Sequence, residues 1–140
     1  MIQRFVIGKP FPTESVVLPV EPAAAAVPYL TAEPDGSWSF SLAEDAVVYG
    51  LGEMPRGINK RGWHYVADNT DESHHGENRL SYYGAHNFLL IDGGAGRSVF
   101  GVFVDFPGKV FYDIGYTRHD RLTFRTEEPD SDLYILTGDS

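Results

Sequence analysis

Residues 49–91 read YGLGEMPRGINKRGWHYVADNTDESHHGENRLSYYGAHNFLLI. Gly50, Gly52 and Gly57 punctuate the first part, and Gly62 to Ala67 resumes an extended apolar pattern. Asp68 to Arg79 is polar and has no periodicity, after which Asn87 to Ile91 returns to strand character. Glycine clusters between short apolar runs mark turns, and an aperiodic polar stretch between such runs is a loop. The stretch therefore predicts strand, glycine turn, strand, long acidic loop and strand, with no helix.

Outward from there the pattern holds. Trp38, Phe40 and Leu42 alternate with Ser37, Ser39 and Ser41, the period-two signature of a half-buried strand with Trp38 in the core. Asp35-Gly36 just before it is a hairpin turn signal. Val47 to Leu51 is a nearly continuous apolar run, which predicts a strand buried on both faces. Further strands are expected at 2–7, 15–20, 98–106, 109–114, 121–126 and 132–136, with a linker or edge segment at 22–28 and a flexible hairpin tip at 92–96. No window carries a helical apolar stripe and no internal repeat is visible. The fold class is all-β, roughly ten short strands in a two-sheet antiparallel β-sandwich. Periodicity alone leaves a jelly roll or a barrel open.

Length and composition bound the function. A chain of 140 residues fits one domain, spanning 1–140, and can hide roughly 70% of its unfolded surface. It has 15 glycines, 9 prolines and no cysteine, so neither a disulfide framework nor a thiolate metal site is available. Asp and Glu number 20 against 11 Lys and Arg, a balance that repels phosphate backbones and argues against a nucleic-acid partner. No apolar run is long enough for a signal segment or a membrane span. The expectation is a soluble, cytoplasmic protein with no membrane partner.

The loop Asp68-Asn69-Thr70-Asp71-Glu72-Ser73 carries the most chemistry. Carboxylates and amides held by rigid strands grip sugar hydroxyls, since a charged acceptor makes the stronger hydrogen bonds. From the residues alone, a solvated turn is the stronger reading. These acids lie too close in sequence to flank both faces of one sugar as a glycosidase pair must. His74, His75 and Glu77 invite a metal reading, but neighbouring residues on a strand point apart and the His-x-His spacing of a jelly-roll metal site is absent. The cations Arg56, Lys60 and Arg61 lack a strand–glycine loop–helix context for phosphate and are expected to stay wet or pair with Glu53. Trp63, Tyr82 and Tyr83 are candidates for lining a pocket. There is no nucleophile elbow and no convincing Ser–His–Asp set. No catalytic residue, metal or cofactor is expected.

Three ordered pieces resemble the N-terminal β-sandwich of glycoside hydrolase family 31, the family of the α-glucosidases. The first is Tyr49-Gly50-Leu51-Gly52-Glu53 with Lys60-Arg61-Gly62, and the second is Asn69-Thr70-Asp71 with Tyr83 through Leu89. The third runs from Phe100 to Asp105, then Phe111 to Gly115, and ends at Asp132 to Gly138. The resemblance implies a galactose mutarotase-like sandwich, the first domain of a larger retaining hydrolase whose catalytic aspartates sit on a following (β/α)8 barrel that this chain lacks. It implies that Asp71 contacts the α-glucoside or oligosaccharide substrate, with Ser73 as a second contact. Its partners would be that substrate and the barrel, and the face left bare by the barrel is expected to self-associate. Rival readings are a free-standing carbohydrate-binding or lectin-like module and a small metal-dependent jelly-roll enzyme.

Overall fold

The computed structural model describes residues 1–24, 29–71, 73–94 and 96–138. Among them there is no helix, and ten strands follow in order: β1 (Ile2–Ile7), β2 (Leu30–Ala32), β3 (Trp38–Ser41), β4 (Val47–Gly52), β5 (Trp63–Ala67), β6 (Ala85–Asp92), β7 (Val99–Asp105), β8 (Val110–Ile114), β9 (Arg121–Thr126) and β10 (Ser131–Thr137). They form two antiparallel five-stranded sheets, ordered β1-β10-β7-β6-β4 and β2-β3-β9-β8-β5. Val48, Leu89, Val102 and Ile135 from the first sheet meet Phe40, Tyr65, Tyr112 and Leu122 from the second in one core. Each such side chain contributes about 1.5–3 kcal/mol by leaving water.

The two outer faces differ. Across the second sheet one register row reads Thr31, Ser39, Thr123, Asp113, His64. Across the first sheet a row reads Ile2, Leu136, Gly101, Leu90, Tyr49. The first sheet therefore turns an apolar row outward and the second a polar one.

Several expectations change. The strand predicted at 15–20 does not form. With Pro12, Pro19 and Pro22 removing backbone donors, the segment instead crosses the outer face of the first sheet as an irregular arm. Arg4 Nη1 donates to the Val20 carbonyl at 3.3 Å and the Ala23 N–H to the Arg4 carbonyl at 2.7 Å. β2 was invisible in the sequence, being three residues long between prolines. The predicted linker at 22–28 and the tip at 92–96 lie partly outside the described residues. Trp38 is half-buried at the edge of the core. Ser37 and Ser39 are buried rather than solvated, because the carboxylates of Asp35 and Glu33 fold over them and accept their hydroxyls.

β4 is an edge strand, not a strand buried on both sides. Its continuous apolar character has a local cause: the register slips between Gly50 and Gly52. Leu51 adopts φ +65° there and turns inward beside Val48, both with no exposed surface. A bulge of this kind inserts a residue and re-aims a side chain.

Burial raises the pKa of the Tyr112 hydroxyl far above its ordinary 10.0, and desolvation raises Tyr65, Tyr29 and Tyr134 as well. The unfolded chain releases phenol protons near pH 10 while the folded state keeps them, so this contribution to stability is full below about pH 10 and is lost above it. Lys60, its pKa lowered by burial, works in the opposite sense: its penalty on folding fades as pH rises toward the unfolded value. Melting points measured from pH 8 to 11.5 should fall above pH 10, and Tyr112→Phe should flatten the fall. An unchanged slope in that variant would mean that Tyr112 is not the group responsible.

Candidate substrate-pocket loop

β5 is the outer strand of its sheet and delivers the chain into the acidic loop at Ala67. Ser81 closes the loop at its base. Its Oγ donates to the Asp68 carbonyl at 2.9 Å and accepts from the Asp68 N–H at 3.4 Å. One step inward, the Val66 N–H donates to the Leu80 carbonyl at 3.1 Å, and Lys109 Nζ sits 3.4 Å from Asp68 Oδ2. Residues 69–80 thus leave and return through one narrow neck, as in an Ω-loop.

Aromatic contacts pin the returning half. His75 stacks on Tyr82 with ring centroids 4.7 Å apart and meets Tyr83 edge-on at 5.3 Å. Tyr82 is buried and donates its hydroxyl to the Gly76 carbonyl at 3.0 Å. The Arg79 N–H donates to the same carbonyl at 3.0 Å, and Arg56 Nη1 reaches the Arg79 carbonyl at 3.4 Å. Asp71 and Ser73 lie on the outgoing half, both exposed. Ser73 Oγ is 2.9 Å from His74 Nδ1. Glu72 lies outside the described residues. At the neck a polar cleft of about 320 Å³ is lined in part by Asp68, Asn69, His86, Asn87 and Lys109.

Asp71 and Ser73 are both exposed, and the other candidates lie elsewhere. Trp63 stands at the opposite end of β5 from Asp68, stacked with Tyr116 at 6.4 Å and covered by the Arg56 guanidinium at 4.2 Å. Tyr82 is an anchor within the loop rather than a platform facing solvent. His74 and His75 take different partners, Ser73 and Tyr82. Among the described residues no three potential metal ligands gather.

The three cations are not simply wet or paired with Glu53, whose carboxylate instead accepts the Gly84 N–H at 3.3 Å. Lys60 is buried with its ammonium on the Met54 and Pro55 carbonyls, at 3.5 and 3.2 Å. Arg61 donates to the carbonyls of Ala43, Ala46 and His119 at 2.6, 2.9 and 2.7 Å. These cations satisfy carbonyls of turns that make no ladder, which is how buried backbone acceptors are normally paired.

Sequence reasoning also missed Asp105 and Asp132, which face each other in register on neighbouring strands and are both buried. Their partners lie far along the chain. Arg4 holds Asp132 through two contacts of 2.9 Å, and the Thr13 hydroxyl reaches both Asp105 oxygens at 2.6 and 2.7 Å. The two carboxylates stand side by side on one sheet surface, whereas a glycosidase pair must address opposite faces of a sugar. They fasten the arm to the sheet.

Two antiparallel five-stranded sheets packed on one core, with a long loop leaving an edge strand, make a β-sandwich. Residues 21–113 match the model described as the glycosyl hydrolase 31 N-terminal galactose mutarotase-like domain, and the chain belongs to that family. Solved structures agree in fold. A GH31 dextranase of Flavobacterium johnsoniae, complexed with glucose, superposes with a TM-score of 0.64 at 23% identity, over 83% of this chain and 14% of its own. The cycloalternan-degrading enzyme of Trueperella pyogenes gives 0.61 at 18% identity, over 74% of this chain and 15% of its own. The cycloalternan-forming enzyme of Listeria monocytogenes, in complex with a pentasaccharide substrate, gives 0.62 at 19% identity, over 74% of this chain and 10% of its own. The chain therefore spans a small part of the enzymes it resembles. No curated protein matches it.

Proposed function

We propose that the chain is the non-catalytic N-terminal domain of an α-glucosidase-like hydrolase. Its 69–80 loop forms part of the wall of the sugar pocket, with Asp71 and Ser73 binding substrate hydroxyls. Retaining hydrolysis is done by aspartates of a (β/α)8 barrel carried elsewhere on the polypeptide. The observation that carries this reading is the build of the loop: Ser81 seals its neck on Asp68, the His75–Tyr82 stack pins its return, and Asp71 and Ser73 are left exposed. A carboxylate presented from a rigid base accepts sugar hydroxyls through charge-assisted hydrogen bonds with little ordering cost. The relatives solved with glucose and with a pentasaccharide support an α-glucoside or oligosaccharide as the substrate class.

The test uses the chain as it stands. The purified protein should hydrolyse no p-nitrophenyl α-glucoside. In an NMR titration it should bind isomaltose no tighter than about 1 mM, since one loop supplies only part of an enclosing pocket. Turnover by the chain alone would defeat the proposal. Micromolar binding without turnover would instead mark a free-standing carbohydrate-binding module.

A further inference from the structure

Two aromatic rings stand exposed at the start of β5. Trp63 is 45% exposed and Tyr116 is 53% exposed, although rings of this size stabilise a fold most when buried. The two are nearly parallel, tilted by 20° with centroids 6.4 Å apart. A ligand ring held between them would need about 7–8 Å, two van der Waals contacts in series. The pair therefore offers an outer face rather than a slot.

Both rings are braced. The Arg56 guanidinium lies 4.2 Å from the Trp63 ring centre, and His64 meets Tyr116 edge-on at 4.6 Å. The backbone beneath them is tied down as well. The Gly62 N–H donates to the Ile114 carbonyl at 2.6 Å and the Gly115 N–H to the Arg121 carbonyl at 2.9 Å. The Asp113 carboxylate accepts the Tyr116 and Thr117 N–H groups at 2.9 and 3.1 Å. Rings fixed in advance lose little freedom when a ligand packs on them. Charges on the same turn are matched, Arg118 pairing with Asp120 at 3.2 Å, which suits a neutral ligand.

We propose that Trp63 and Tyr116 form a second, non-catalytic sugar platform that holds a stretch of an α-glucan chain. The ligand class rests on the functional reading above. A pyranose has an apolar C–H face and a rim of hydroxyls. The C–H face packs on the indole and phenol rings, while Arg56, His64 and the Tyr116 hydroxyl stand beside it to meet the rim. Trp63 and Ala67 bound β5, so four steps of about 3.3 Å put the platform about 13 Å from the neck of the acidic loop. Two weak contacts on one glucan chain raise the effective concentration of the chain at each of them.

The chain has two tryptophans, so its NMR spectrum carries two indole N–H signals, and Trp63→Phe assigns them by removing one. Maltohexaose and isomaltohexaose are titrated separately into the 140-residue chain, to about 20 mM. The Trp63 signal should shift with a Kd of about 1–10 mM, and the Trp38 signal should stay in place. Tyr116→Ala and Trp63→Ala should each weaken binding about fivefold or more, the value of one aromatic contact. Tyr116→Ala keeps both indole signals and tests the platform even where Trp63→Ala does not fold. Asp71→Ala should leave the platform's Kd unchanged. Sorbitol, a polyol with no ring face, should move neither signal. A Trp63 signal that stays in place with both sugars, or that moves equally with sorbitol, would overturn the platform. Hydrolysis of p-nitrophenyl α-glucoside by the chain alone would instead defeat the functional reading, and the titration would still decide the platform.

Discussion

Replacing Gly50 by alanine is expected to cost roughly 3–5 kcal/mol of folding stability, a large share of what a domain of this size possesses. Two effects add. Gly50 sits at φ +119°, a conformation that residues with a Cβ rarely adopt, and a Cβ there would lie 2.3 Å from the Phe88 carbonyl oxygen. That neighbour is backbone in the β4–β6 ladder and cannot swing aside as a flexible side chain would. The bulge that turns Leu51 into the core would have to reopen, so the variant loses packing as well as backbone fit. Gly36 separates the two effects: it has φ +82° but open space around its Cβ position, so Gly36→Ala should cost only about 1 kcal/mol. Urea unfolding of both variants decides the matter. Equal losses would mean that β4 and β6 do not approach as closely as the register requires.

Gly50 also illustrates what could be read in advance. The Asp35-Gly36 hairpin and the aperiodic loop after Ala67 were legible because each depends on a few consecutive residues, whereas the glycines at 50 and 52, which looked like a turn, make a bulge inside β4. Which strands became edges was not legible, since strand order depends on contacts between distant segments. Val47 to Leu51 looked buried on both faces because a bulge and a true double-sided strand leave the same run of apolar letters. Lys60 looked like a wet surface cation, and only the folded turn brings the Met54 and Pro55 carbonyls to it. Asp105 and Asp132 lay among unremarkable strand-end acids until Thr13 and Arg4 arrived from the other end of the chain. Of the candidate site, the loop and its acids were visible. Its fastening through Ser81, His75 and Tyr82 was not, because adjacent histidines carry no sign of which neighbour each will take.

That fastening gives the Asp71 prediction its content. In the intact enzyme Asp71→Ala should lower kcat/KM for an α-glucoside about 10- to 100-fold, the value of a hydrogen bond to a charged group at about 1.5–3 kcal/mol. Asp71→Asn keeps an acceptor without the charge and should fall between. Because Asp71 is exposed and outside the core, both substitutions should leave the melting point of the 140-residue chain unchanged. Tyr82→Phe makes the complementary case. It removes the hydroxyl that holds the Gly76 carbonyl, so it should weaken substrate binding by loosening the loop, with a smaller loss than Asp71→Ala. If Asp71→Ala left kcat/KM intact while Tyr82→Phe reduced it, the loop would act as a structural brace and the sugar contact would belong to another residue. If both left it intact, the pocket would be built without this domain.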